Sequence, residues 1–428
     1  MDKESNMNIN TLRDLNKIKE YTNKHEEIFK EKNFGTKAIH CGQEPDIVYG
    51  TMAVPLHLAT TYKQSGPNEP FGPYDYSRCG NPTRENLERL ICGLHKAKHG
   101  LVMSSGCAVT TLITNLLTTG DHVVCIDDVY GGTQRIFRKV FIPKNKIDFT
   151  FTPIFDLEDF KTKLNSKTKL VWVESPTNPT LKVTDMAELI KTVKNYNKDI
   201  IIVCDNTFLS AYNYTPLDHG VDIVVESATK YVGGHSDVVM GILATNNSKL
   251  HDELLFIART TGACSSPFDC YMAIRGIKTL HLRMERANSN ALAIAKFLST
   301  HDKIETVLYG GLESSSNYKV SKKNGYKGNG GVLAFYVKSD IEGVKRFFDH
   351  LHVITLAESL GAVESLIEHP ETMTHASVPK EIREELGINE RFIRMSTGCE
   401  DIEDLINDLK HGLSKIWNKL CKILYCLI

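Results

Sequence analysis

From residue 81 onward, short apolar runs alternate with helical segments, and each run ends in a cluster of polar residues. The runs are Leu101 to Met103, His122 to Ile126, Leu170 to Val173, Ile200 to Cys204, Ile223 to Val225 and Val238 to Leu243. Between them, helical periodicity recurs at Val109 to Leu117, Thr184 to Tyr196 and Leu250 to Thr260. Runs that are apolar at every position, rather than at alternate ones, suit strands buried on both faces. Such strands alternating with helices predict an α/β fold with a mostly parallel central sheet covered on both sides. A long helical stretch around 262–290 leads to a second, smaller unit of α+β character at 290–412, with a strand at Gly331 to Val337.

The rest of the chain is organised around that core. Residues 1–33 are polar and read as an extension, partly disordered or loosely helical. Residues 34–80 are rich in Gly, Pro and Thr and read as an extended arm. Asn81-Pro82-Thr83 opens the first helix, with proline in its first turn. Residues 413–428 run past the second unit with apolar positions 413, 416, 420, 424 and 427 at helical spacing, which predicts a longer last helix. Cys426 is third from the end, so the terminus is not a prenylation box.

Composition excludes several function classes. The formal net charge of −1 leaves no electrostatic footprint for nucleic acid or an anionic membrane. The 11 cysteines are scattered, with no C-x-x-C and no zinc spacing, so no metal site is expected and a reducing cytosol is. No apolar run approaches the roughly 18 residues of a spanning helix, and the N-terminus has no secretory h-region. The chain is therefore expected in the cytoplasm. No phosphate loop of the G-x-x-x-x-G-K-[ST] type occurs, and Gly328-Asn329-Gly330-Gly331 reads as a turn.

In open α/β sheets, ligands bind beyond the C-terminal ends of strands. Five polar motifs fall there: Ser104-Ser105-Gly106, Asp127-Asp128-Val129-Tyr130-Gly131-Gly132, Glu174-Ser175-Pro176-Thr177-Asn178-Pro179, Asp205-Asn206-Thr207 and Ser227-Ala228-Thr229-Lys230. Free amides where Ser104-Ser105-Gly106 opens a helix suit a phosphate. Lys230 sits between hydroxyl donors and the turn Gly233-Gly234, where a desolvated amine becomes a nucleophile for carbonyl carbon. Any one of these alone would be a loop or a solvated lysine. Five on one side of one sheet, with chemistry suited to one cofactor, make a site.

With those residues in place, the chain over about 34–412 resembles the Cys/Met metabolism family of pyridoxal-phosphate enzymes, the cystathionine lyases and synthases. The resemblance implies a fold-type-I enzyme with pyridoxal 5'-phosphate, its α/β domain at 81–289. Lys230 matches the lysine that holds the cofactor and moves protons, and Asp205 the aspartate that pairs with the pyridinium nitrogen. Tyr130 matches the tyrosine that stacks on the ring. Gly106, Cys107, Ser227 and Thr229 match the phosphate-holding positions, although Cys107 departs from the family's usual residue. Tyr76 and Arg78, in Tyr-Ser-Arg-Cys-Gly-Asn-Pro-Thr, match residues that reach the neighbouring subunit's phosphate. That implies a homo-oligomer, at least a dimer with shared sites and by expectation a tetramer. Arg394 matches the arginine for the substrate α-carboxylate, flanked by Asn178 and Ser359, while Arg135 and Glu358 resemble residues at the distal substrate end.

The activity so implied is γ-elimination of L-cystathionine. Cystathionine γ-synthase and methionine γ-lyase activities are the alternatives within the family. Against the latter, Gly132 stands where bacterial methionine lyases carry cysteine, and Glu358 is a residue they lack. A catalytically silent homologue acting as an interaction protein would be expected to lose Lys230, Asp205 or Tyr130, and all three are present.

Overall fold

The computed structural model describes residues 15–376 and 378–416. The expectations for residues 417–428, and for the first 14, lie outside the described residues. Seven strands form the central sheet: β1 (His99–Met103), β2 (His122–Ile126), β3 (Asp148–Thr152), β4 (Thr168–Glu174), β5 (Ile201–Asp205), β6 (Ile223–Ser227) and β7 (Gly241–Thr245). Their spatial order is β1-β7-β6-β5-β4-β2-β3. Only β7 runs against its neighbours, pairing antiparallel with both β1 and β6. The mostly parallel α/β architecture is therefore present.

The strands form where they do because both faces are covered. Residues Val123 to Ile126, Val171 to Val173 and Ile202 to Cys204 are each no more than 1% exposed. Burying such side chains stabilises the fold by about 1.5–3 kcal/mol apiece. β3 was not among the expected strands. Its Asp-Phe-Thr-Phe-Thr sequence alternates, as suits an edge strand with one face against the core. The strand expected at Val238 to Leu243 begins later, at Gly241, because the Met240 backbone is tied to Thr229 through its N–H (3.0 Å) and C=O (3.2 Å). The helix expected from Val109 begins earlier, at Gly106, because the Ser105 hydroxyl accepts the Ala108 N–H at 3.0 Å and caps it.

The expected extended arm also differs at its start. Phe34–His40 is a helix that buries Ala38 and leads into Cys41, both packed with Leu87, Leu90 and Ile91. Preceding it, Leu15–Phe29 is helical. The open arm begins after residue 41 and includes a small ribbon, Gln64–Gly66 with Glu69–Pro70. It ends at Asn81, whose side-chain oxygen accepts the Thr83 N–H at 3.0 Å and caps the helix Pro82–His95.

After β7 comes the helix Ser248–Thr261, and the long helical stretch expected around 262–290 is two helices, Pro267–Ile277 and Leu280–Ser299. The second leads to a five-stranded sheet: β8 (Ile304–Leu308), β9 (Val332–Val337), β10 (Thr355–Leu356), β11 (Leu366–Glu368) and β12 (Phe392–Ser396). The order is β8-β9-β12-β11-β10. The helix Ile402–Ser414 covers this sheet, with Leu405, Leu409, Leu413 and Ile416 buried in its core.

Candidate active site

A cavity of about 380 Å³ opens at the C-terminal ends of β4, β5 and β6, against the smaller domain. Its lining includes Gly106, Cys107, Tyr130, Asn178, Asp205, Ser227, Thr229, Lys230, Glu358, Ser359 and Arg394. Eleven of the residues expected from the sequence thus converge from distant parts of the chain. Three do not. Tyr76 and Arg78 lie on the arm, and Arg78 lines a separate cleft while its Nη1 donates to the Arg259 carbonyl at 2.5 Å. Arg135 is exposed and outside the lining, although its charge is felt by Cys107 and Tyr130.

The lysine sits just past β6. Its Nζ donates to the Ser359 hydroxyl at 2.7 Å, a residue supplied by the smaller domain. Burial, and then the nearby Arg394 charge, lower the Lys230 pKa to about 8. The neutral amine that a nucleophile or base requires is then a sizeable minority near physiological pH, where an ordinary lysine has almost none. Ser359 itself has φ of 110°, a strained value for a residue with a Cβ. Its hydroxyl accepts from Lys230 while its carbonyl accepts from Arg394 Nη2 at 2.8 Å. Those two bonds hold it in that conformation.

Asp205 ends β5. Oδ1 accepts from both the Thr207 N–H (3.0 Å) and its hydroxyl (2.6 Å), and Oδ2 takes part in neither bond. Burial raises its pKa, and the Thr207 bonds oppose that rise. Opposite it on β4 stands Glu174, whose carboxyl is pushed well up by burial and then by Asp205. Glu174 Oε2 accepts the Tyr130 N–H at 2.9 Å and anchors the tyrosine loop. Tyr130 keeps its ring over the cavity, 44% exposed. A side chain at Gly132 would come within 2.4 Å of that ring, so the glycine sets where the tyrosine lies.

At the other wall, the Ser105-capped helix Gly106–Thr114 turns its first amides toward the lining beside Ser227 and Thr229. A Cβ at Gly106 would lie 3.3 Å from Ser227 Cβ, so the turn approaches β6 closely. Arg394, on β12 and 2% exposed, donates from Nη1 to Asn178 Oδ1 at 2.9 Å and forms an ion pair with Glu368, Nη1 to Oε1 2.9 Å. Sequence reasoning named Thr207 only as part of the Asp205 motif, without a role, and did not single out Glu368 or Thr374. Only the register of β11 on β12 brings Glu368 opposite Arg394. Among the described residues no cluster of His, Cys, Asp or Glu could hold a metal ion, and no helix is long and apolar enough to cross a membrane.

The chemistry of this cavity is that of a pyridoxal-phosphate site: a lowered lysine, a carboxylate with one oxygen uncommitted, an aromatic ring and a capped helix terminus. Residues 35–414 match the family of Cys/Met metabolism PLP-dependent enzymes, and the chain belongs to that family. The chain is 49% identical over 383 residues to the cystathionine gamma-lyase of Dictyostelium discoideum, covering 89% of this chain and 97% of that one. Its structure is similar to the crystal structure of yeast cystathionine gamma-lyase, with TM-score 0.86 and 46% identity over 91% of this chain and 99% of that one. A cystathionine gamma synthase from Xanthomonas oryzae, crystallised with cystathionine, superposes with TM-score 0.87 at 36% identity, over 90% of this chain and 98% of that one.

Proposed function

We propose that this chain cleaves L-cystathionine and water to L-cysteine, 2-oxobutyrate and ammonia by pyridoxal-phosphate-dependent γ-elimination, as a carbon–sulfur lyase of transsulfuration and cysteine biosynthesis. The observation that carries the reading is the convergence of Lys230, Asp205, Arg394 and Glu358 on one cavity. The 45–49% identity to curated cystathionine gamma-lyases supports it.

Lys230 would hold the cofactor, and Asp205 would serve its ring nitrogen. Gly106, Cys107, Ser227 and Thr229 would hold its phosphate. When bound, the cofactor supplies an electron sink for charge developing on the substrate. The side chains do the rest. Arg394, with Asn178 and Ser359 beside it, receives the α-carboxylate. The Lys230 amine, on a flexible stem, takes a proton from Cα and then serves Cβ before sulfur leaves Cγ. Tyr130 returns a proton to the departing sulfur. Glu358 draws the cationic amine at the distal end of cystathionine, and Arg135, outside the lining, takes the distal carboxylate on the strength of the resemblance alone. Methionine has no distal head and gains from neither.

We further propose a homo-oligomer, a dimer with shared sites and by extension a tetramer, in which Tyr76 and Arg78 serve the partner's phosphate. Apolar side chains exposed on the arm support this, with Tyr49 at 85%, Met52 at 72% and Leu58 at 66%. A cytoplasmic setting fits the nine described cysteines, which are free thiols.

The deciding experiment supplies cystathionine alone, then an activated homoserine ester with cysteine. Abundant 2-oxobutyrate from the first supports the lyase. Negligible 2-oxobutyrate with abundant cystathionine from the second would reassign the chain as a synthase.

A further inference from the structure

Arg394 and Glu368 face one another across β12 and β11, directly opposite in register. Their ion pair is 2.9 Å long with side chains 2% and 1% exposed. Glu368 Oε1 also accepts the Thr374 hydroxyl at 3.0 Å, while Oε2 is buried with no partner. On Arg394, Nη1 donates to Asn178 and lies in the ion pair with Glu368, Nη2 donates to the Ser359 carbonyl, and Nε is buried without a partner. The charge that is to receive a substrate carboxylate is thus already matched by an internal one, and both groups retain unused bonding capacity.

We propose that Glu368 is an internal competitor for Arg394, a positioning residue that is protonated from solvent as the substrate α-carboxylate binds. This rests on the reading of Arg394 as the α-carboxylate site. Two carboxylates on one buried guanidinium cannot both stay ionised at low cost, and the one that cannot leave takes up the proton. The other charged groups facing Glu368 do not remove the conflict. Glu358 repels it, Lys230 is a weaker attractor than Arg394, and the adjoining His375 is kept neutral by burial, which lowers it to about 4. Burial raises Glu368 before any ligand arrives, while Arg394 opposes that rise. Before substrate arrives, Glu368 keeps Arg394 from standing as an unpaired buried charge. The cost is substrate affinity, and release of the product acid is correspondingly easier.

The test uses the holoenzyme and a simple monocarboxylate, butyrate, which has no amine with which to react. Calorimetry in two buffers of different ionisation heat counts protons taken up on binding. The wild type takes up close to one proton per bound butyrate near pH 8, and E368Q takes up none and binds butyrate about tenfold more tightly. For cystathionine, E368Q lowers KM more than it changes kcat and flattens the pH dependence of KM. Wild-type binding without proton uptake overturns the proposal, and that result needs no variant to fold. Unchanged or weaker butyrate binding by E368Q overturns it as well. R394Q separates the two readings: if butyrate binds it as well as wild type, the assignment of Arg394 is what fails.

Discussion

Arg394 is 2% exposed and carries two hydrogen-bonding partners and one ion-pair partner from its own chain, whereas Tyr76 is 43% exposed and touches Arg78 chiefly by a guanidinium over its ring at 5.6 Å. The family resemblance gives both residues a hand in one site. The difference lies in what each needs to be in place. The cavity floor is set by sheet register: Glu174 opposite Asp205, and Glu368 opposite Arg394. A single chain fixes those distances. The arm is fixed mainly near its root, where Asn81 caps a helix, its amide donates to His57, Tyr62 and Ser77, and Arg84 donates to the Ser77 carbonyl. Tyr76 and Arg78 sit beside that root, outside the cavity. Half of the Tyr-Ser-Arg-Cys-Gly-Asn-Pro-Thr motif therefore does structural work in its own chain, and the other half is the part proposed to serve a second copy.

Breaking the floor should cost most. Lys230→Ala should lose at least about 10⁴-fold in activity, and borohydride should then fix no cofactor on the chain. An adduct on a different lysine in the wild type would refute the assignment. Asp205→Ala should follow, with a loss of about 10²- to 10³-fold, because an unprotonated ring holds charge poorly. Cofactor absorbance and 2-oxobutyrate release check this together.

A milder lever is pH. Attachment of cofactor to stripped protein requires the neutral amine, which predominates above the Lys230 pKa of about 8. The attachment rate should rise about tenfold from pH 6.5 to 7.5 and flatten above 8.5. Arg394→Gln removes a positive neighbour that holds the lysine down, so the midpoint should move to higher pH. A midpoint that moves down would contradict the electrostatic account. The smallest effect is expected at the rim. Glu358→Val should narrow the preference for cystathionine over methionine by roughly tenfold or less, seen as a change in relative kcat/KM.

Much of the floor was legible in the sequence because buried parallel strands and their end motifs leave a local signature. Asp205-Asn206-Thr207 and Ser227-Ala228-Thr229-Lys230 could be placed at strand ends from the apolar runs before them. Glu368 could not. It lies in a three-residue strand just before a His-Pro turn, and nothing local says that its neighbour across the sheet is Arg394. The helix Phe34–His40 was hidden for a related reason. Only the packing of Ala38 and Cys41 against Leu87, Leu90 and Ile91 gives this seven-residue segment a reason to be helical. The late start of β7 depends on the Thr229 hydroxyl, a contact 11 residues away in sequence that an apolar run does not reveal.

The contrast between floor and arm is tested most directly by mixing two defective chains. Arg78→Ala and Lys230→Ala are each purified as inactive protein, dissociated together and reassembled. Half of randomly mixed dimers are hybrids, and each hybrid carries one site free of both lesions. The account predicts recovery of roughly a quarter of wild-type activity. Hybrid dimers that form, as native mass spectrometry would show, yet remain as inactive as their parents would contradict it.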